Sequence, residues 1–260
     1  MLEYKQYNKE NVETVVFVHG FGSDSNAFYK QMRSFVKKFN VIAIHLPGHG
    51  NSSDTRSYGG NFNLDSVIEA MVQTLNQLKI YKAHFVGISL GSVVLHYFLQ
   101  KHPEYINSMV LGGAITRFSP IARTALRIFN LTHGVLPALW IYSIMGQYML
   151  PTNKLKTTRE IFYNGVKQMK KGNFIDWLRV LNAVDFSFEI LHDHAKSIPK
   201  LYISGVEDIR FIDYLLKDIK NDLAAEVILL ENCGHICNME DPKTFNTASV
   251  EFIERYTRSQ

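Results

Sequence analysis

The chain has almost no cysteine: two in 260 residues, Cys233 and Cys237. That excludes a disulfide framework and fits a reducing compartment, so a cytoplasmic protein is expected. No run of 18 or more apolar residues occurs, so no spanning helix and no stable membrane insertion are expected. The opening stretch MLEYKQYNKENVE is polar and lacks the apolar core of a signal peptide, so none is expected. Charge imbalance is also small. Lys and Arg number 28, Asp and Glu 24, for a net charge of +4, too little by itself to point to nucleic acid.

Cofactor signatures are missing as well. Neither G-x-x-x-x-G-K-[ST] nor G-x-G-x-x-G occurs, and HGFGSDSN is only a weak lookalike of a nucleotide loop. There is no H-E-x-x-H. His45 and His49 flank LPGH, and His192 and His194 surround Asp193, but neither pair has a nearby third ligand. Cys233 and Cys237 flank His235 at two residues on either side. One thiol pair does not make a zinc site, so they read as local packing with a possible oxidation liability. No metal and no organic cofactor are expected, and composition says nothing of oligomeric state.

What is present is an ordinary globular composition, 46% hydrophobic and 20% charged, able to bury a sizeable core. The length suits one large α/β domain or two small ones. Short apolar runs read as buried strands at 14–20, 40–44, 83–88, 106–115, 200–205 and 225–232. Between them lie stretches of helical periodicity: 24–39, 64–79, 90–102, about 210–220, and 241–258. Alternating helices and uniformly apolar strands imply a doubly wound, mainly parallel sheet covered on both faces. Function in such sheets sits at the C-terminal ends of the strands.

Residues 117–196 break the alternation and read mostly as several helices with no strand between them. Between Arg117 and Gly172 there are nine Lys or Arg and one acid, Glu160. This basic excursion suggests weak contact with a lipid surface or attraction of anionic substrates, against the plainer reading of a solvated basic face.

One serine stands apart. In HFVGISLGSVVLHYFLQ, Ser89 lies between Gly87 and Gly91, at the junction of a strand and a helix. A serine on so tight a turn projects its Oγ out of the sheet, and the flanking glycines permit close backbone approach. The N–H after it starts a helix and can donate to a developing oxyanion. A serine nucleophile needs a base, and the base an orienting carboxylate. His235 follows the last strand in LLENCGHICNMEDP. YISGVEDIRF follows the penultimate strand and offers Glu207 and Asp208, of which Asp208 is preferred. The chain order Ser89, Asp208, His235 is the one expected for this triad on a doubly wound sheet.

These blocks resemble the α/β-hydrolase superfamily. VVFVHGFGSDSNAF resembles its oxyanion loop, IAIHLPGHGNS its D-x-P-G-x-G-x-S loop with His45 where Asp is usual, and VGISLGS its nucleophile elbow. SGVED resembles its acid turn and CGHICNMEDP its histidine loop. The resemblance covers about 1–116 and 197–260. It implies Ser89 as nucleophile, Asp208 as acid, His235 as base, and the backbone N–H groups of Phe21 and Leu90 as oxyanion hole. It further implies that 117–196 forms an all-helical cap inserted in the core 1–116 and 197–260. Trp140, Ile144, Tyr148 and Met149 would then contribute to an apolar pocket roof, together with Phe129, Leu136 and Leu139.

Two departures are visible. About 13 residues precede the first clear strand, so one or both of the family's leading antiparallel strands are expected to be short or absent. The family's menaquinone-pathway member usually carries Arg just after its elbow, where this chain has Ser92. The expected activity is hydrolysis of small-molecule carboxylic esters with small to medium acyl chains. Carbon–carbon bond hydrolysis, a lyase step of the menaquinone type, and a non-catalytic ligand-sensing pocket remain the alternatives.

Overall fold

The computed structural model describes residues 1–7, 13–132, 156–184 and 197–257, and five single positions between 140 and 147. In chain order the elements used below are β1 (Tyr4–Tyr7), β2 (Thr14–Val18), α1 (Tyr29–Phe35), β3 (Asn40–Ile44), α2 (Leu64–Gln77), β4 (Ala83–Ile88), α3 (Leu90–Lys101) and β5 (Ile106–Gly112). Then come α4 (Pro120–Thr132), α5 (Lys156–Lys167), α6 (Lys171–Ala183), β6 (Lys200–Gly205), α7 (Ile212–Asp218), β7 (Ala225–Leu230), α8 (Cys237–Glu240) and α9 (Pro242–Thr257).

The seven strands form one sheet in the order β1-β3-β2-β4-β5-β6-β7. All neighbours are parallel except β1, which pairs antiparallel with β3. The doubly wound α/β architecture expected from the alternation is therefore what the chain adopts. One leading antiparallel strand is present and short. Its residues YKQY are largely exposed, which is why no hydrophobic alternation announced it. At the opposite edge, the expectation of uniformly buried strands fails: among the described residues β7 pairs with β6 alone, and Val227 and Leu229 are exposed.

Strand pleating divides the core in two. Val16, Val18, Phe85, Met109, Leu111 and Tyr202 point to one face, where Ile68, Met71 and Leu75 of α2 and Leu95 and Phe98 of α3 cover them. Val15, Phe17, Val86, Val110, Leu201 and Ile203 point to the other, beneath Phe35 of α1 and Phe245, Phe252 and Ile253 of α9. With both faces covered, the accessible part of the sheet is its edge, and β4, β5 and β6 end side by side there. No helix among the described residues is long and apolar enough to cross a membrane.

Three core histidines make stability depend on pH. Burial lowers His19 and His84 to about 4 and His96 to about 3, from an ordinary 6.5. Each stays neutral in the fold but takes up a proton near 6.5 once unfolded. Their contribution is thus complete above about pH 6.5 and is lost as pH falls towards 4. Melting temperature is expected to drop steadily across that window in a scanning-fluorimetry pH series. A flat profile there would contradict the neutral assignment.

Candidate active site

The polypeptide turns sharply at Ser89, with φ 53° and ψ −114°. A non-glycine residue is strained there. Surrounding bonds hold it: Ser89 N–H donates to the Gly112 carbonyl at 3.0 Å, and the Ser89 carbonyl accepts from Ser92 N–H at 2.9 Å. Ser92 Oγ donates to the same carbonyl at 2.6 Å and accepts from Ile115 N–H at 3.0 Å. Ser92 therefore ties the turn to the end of β5. The flanking glycines are required by contact. A Cβ on Gly91 would lie 2.1 Å from the Val18 carbonyl oxygen, and one on Gly87 would lie 2.9 Å from that of Gly91.

The three side chains expected to act together meet. Ser89 Oγ lies 2.9 Å from His235 Nε2, and His235 Nδ1 lies 2.9 Å from Asp208 Oδ2. All three residues are buried. Of the two acids after β6, it is Asp208 that meets the imidazole. The ring of Phe211 packs on His235 with centroids 5.0 Å apart.

Three supports for His235 were missed from the sequence. Glu240 accepts the N–H groups on both sides of the histidine, from Gly234 at 2.7 Å and Ile236 at 3.1 Å. Burial raises its carboxyl pKa, against the two amides and the nearby His235. Gly113 and Gly205, at the ends of β5 and β6, let the loop backbone lie directly on the sheet edge. A Cβ on Gly113 would sit 2.1 Å from the His235 carbonyl oxygen, and one on Gly205 2.0 Å from that of Cys233. A glycine ending a strand in LGGAI and in YISGVED was the available signal.

The loop that follows β2 is gripped from two sides. Gly22, at φ 68°, donates its N–H to His49 Nε2 at 3.1 Å. That bond needs a neutral imidazole, and burial holds the pKa of His49 well below the ordinary histidine value. On the other side, α5 approaches so closely that a Cβ on Gly165 would lie 2.1 Å from the Gly22 carbonyl oxygen. His19 Nε2 accepts from Leu46 N–H at 3.0 Å and so ties the two loops together. Where the family usually has Asp, His45 Nδ1 lies 2.6 Å from Glu3 Oε2, and Glu3 also accepts from Asn51 N–H at 2.5 Å. The acid comes from the chain leading into β1. Phe21 of this loop and Ser89 line the same chamber, and Leu90 opens α3, where N–H groups have no partner within the helix.

Comparison with known proteins agrees with this fold. A family model for the alpha/beta hydrolase fold matches residues 13–139. The dihydrolipoyllysine-residue acetyltransferase component of the acetoin cleaving system of Pseudomonas putida is 32% identical, over 98% of this chain and 67% of that protein. The chain belongs to the α/β-hydrolase superfamily. A second relative is the 2-hydroxy-6-oxononadienedioate/2-hydroxy-6-oxononatrienedioate hydrolase of Burkholderia vietnamiensis, 24% identical over 94% of this chain and 88% of that one. Among solved structures, MenH from S. aureus superposes with a TM-score of 0.85 at 20% identity, over 98% of this chain and 99% of that one.

Two chambers of this α/β hydrolase open on Ser89. One, of about 400 Å³, is lined by apolar side chains including Leu90, Ile115, Phe118, Phe129 and Ile144. The other, of about 710 Å³, includes His235, Asn26, Asn51, Asn164 and Gln168. Of the residues expected to roof the pocket, Ile144 and Phe129 line the apolar chamber. Trp140 is 68% exposed and lines neither. Tyr148, Met149, Leu136 and Leu139 lie outside the described residues, as do His192 and His194.

Helices α4, α5 and α6 fill the described part of the excursion. Helix α6 is bolted to the loop after β3 by buried polar groups. Trp177 Nε1 donates to the Pro47 carbonyl at 2.8 Å, and Asn173 Oδ1 accepts from Thr55 N–H at 3.1 Å.

No group of three His, Cys, Asp or Glu side chains suited to a metal occurs among the described residues. Cys233 and Cys237 are free and buried. Burial pushes the Cys233 thiol up to about 12 and that of Cys237 well above its ordinary value. The thiolate is the reactive form, so the expected oxidation liability is removed by burial. Native protein should not react with a thiol reagent such as Ellman's reagent within minutes, and urea-unfolded protein should release two equivalents. Rapid native labelling would overturn this.

Proposed function

We propose that this α/β hydrolase cleaves carboxylic esters of small to medium acyl chains through an acyl-enzyme on Ser89. The observation that carries the reading is the unbroken hydrogen-bond chain Ser89–His235–Asp208, standing beside an apolar chamber that also borders Ser89. His235 Nε2 takes the Ser89 proton as Oγ attacks the carbonyl. Asp208 keeps the imidazole proton on Nδ1 and balances the imidazolium. The N–H groups of Phe21 and Leu90 receive the oxyanion. His235 then protonates the leaving alcohol, and the same imidazole activates water to release the acid.

A carbon–carbon hydrolase could use the same triad, and the Burkholderia relative is named for a dienedioate, which bears two carboxylates. Lys5 is the single Lys or Arg among the described residues lining either chamber, and its Nζ already donates to Asn26. This favours the ester reading. A fluorophosphonate probe should label the protein, and Ser89→Ala should abolish labelling. A chromogenic ester series from acetate to decanoate should be turned over. Labelling of Ser89 without turnover of any ester would transfer the proposal to carbon–carbon hydrolysis; no Ser89-dependent labelling would remove both.

A further inference from the structure

We propose that the two chambers divide an ester by polarity: the apolar chamber takes the acyl chain, and the chamber containing His235 takes an uncharged, hydroxyl-bearing alcohol such as a glycerol or sugar moiety. This rests on the ester reading above and names its substrate class.

The direction follows from proton transfer. The leaving oxygen must receive its proton from His235 Nε2. His235 borders the polar chamber and not the apolar one, while Ser89 and Phe21 border both. With the carbonyl carbon on Ser89 Oγ, the alcohol therefore extends into the polar chamber. The other substituent of the carbonyl is left to the apolar chamber. The reverse pose would separate the leaving oxygen from its proton donor.

The walls agree with that direction. Apart from Ser89, the one polar side chain among the described residues bordering the apolar chamber is Thr132. A hydroxyl buried there would lose its hydrogen bonds with water, at about 1–3 kcal/mol. The polar chamber is bordered by the carboxamides of Asn26, Asn51, Asn164 and Gln168. A carboxamide both donates and accepts, as a hydroxyl does.

Its charged groups are already engaged with neighbouring residues. Glu3 accepts from Asn51 and meets His45, Asp24 accepts from Asn26, and Lys5 donates to Asn26. Among the described residues lining it, two acids stand against one lysine, so its fixed charges disfavour a carboxylate-bearing alcohol.

The test compares kcat/KM for three esters by acid release in a pH-stat. They are 1-octanoylglycerol, its reversed counterpart octyl glycerate, and the octanoyl ester of 3-hydroxypropanoate. 1-Octanoylglycerol is expected to exceed each of the others by about tenfold or more. Ala125 borders the apolar chamber, so Ala125→Phe should shift the optimum of the acyl series to shorter chains. Equal rates for the reversed pair, or a preference for octyl glycerate, would overturn the orientation. Preference for the carboxylate ester would overturn the uncharged alcohol. If none of the three is turned over although Ser89 reacts with fluorophosphonate, the ester reading fails and this proposal with it.

Discussion

Replacing Asp208 by Asn is expected to lower kcat by roughly four orders of magnitude, with the protein still folded. In the proposed mechanism Asp208 Oδ2 accepts the proton carried on His235 Nδ1, 2.9 Å away. An amide in the same place can present an N–H instead, which moves the imidazole proton to Nε2. That nitrogen then faces Ser89 Oγ, 2.9 Å away, as a donor and cannot take the serine's proton. The replacement changes charge but hardly volume, so steady-state kinetics on a chromogenic ester, with a melting curve as control, isolates the effect. Glu207→Gln serves as comparison, because its neighbour Asp208 holds the histidine. It should remain within a few fold of the parent. If Glu207→Gln proved the more damaging change, the acid would have to be reassigned.

The second large effect is expected from one added methyl group. A Cβ on Gly91 would lie 2.1 Å from the Val18 carbonyl oxygen and 3.0 Å from that of His19. Val18 ends β2, which is held between β3 and β4 through the pairs with Ile44 and Gly87. The strand is therefore fixed on both sides, and α3 must move away from it. Leu90, whose N–H is proposed to receive the oxyanion, is the adjacent residue. Gly91→Ala should destabilise the fold by about 3 kcal/mol or more, lowering the melting temperature by roughly 5–10 °C. It should also reduce kcat by about two orders of magnitude or more, since a misplacement near 1 Å has that scale of effect. Urea melts and single-turnover kinetics read the two consequences separately. Normal stability and activity would mean that the turn has room the contacts deny.

Much of this molecule was legible before any coordinates. Six of the described strands carry apolar runs, five of them because parallel strands covered on both faces show no polar side, whereas β7 carries one at an exposed edge. Strand β1 carried none, because it is a polar edge and its partner β3 is remote in sequence. Ser89 was visible because an elbow needs glycine two residues on either side, and that spacing is local. His235 was visible as a histidine in a loop after the last strand. Its choice among ten histidines still depended on the expected order of the triad. Asp208 was preferred to Glu207 by that same pattern, and the bond to His235 then distinguished them.

Other features left weaker traces. Glu240 is an acid four residues past Ile236, with nothing in its neighbours to say that it cradles the histidine loop. Gly165 is a glycine in a helix, which by itself reads as a weakness. Only the approach of α5 to Gly22 gives it a purpose. Nothing in the sequence around His45, which stands where the family usually has Asp, announced Glu3 beside it.

The sequence by itself determined the parallel strands, the chain order of Ser89, Asp208 and His235, and the tight turn that presents Ser89. Those follow from periodicity and from short-range steric rules, which act over a few residues. Tertiary structure decided that an apolar and a polar chamber both border Ser89, that only the polar one contains His235, and that His49 and Gly165 grip the loop after β2. Each of these joins residues distant in the chain through packing and single hydrogen bonds. Such contacts depend on how helices and loops settle against one another, and no local pattern encodes them.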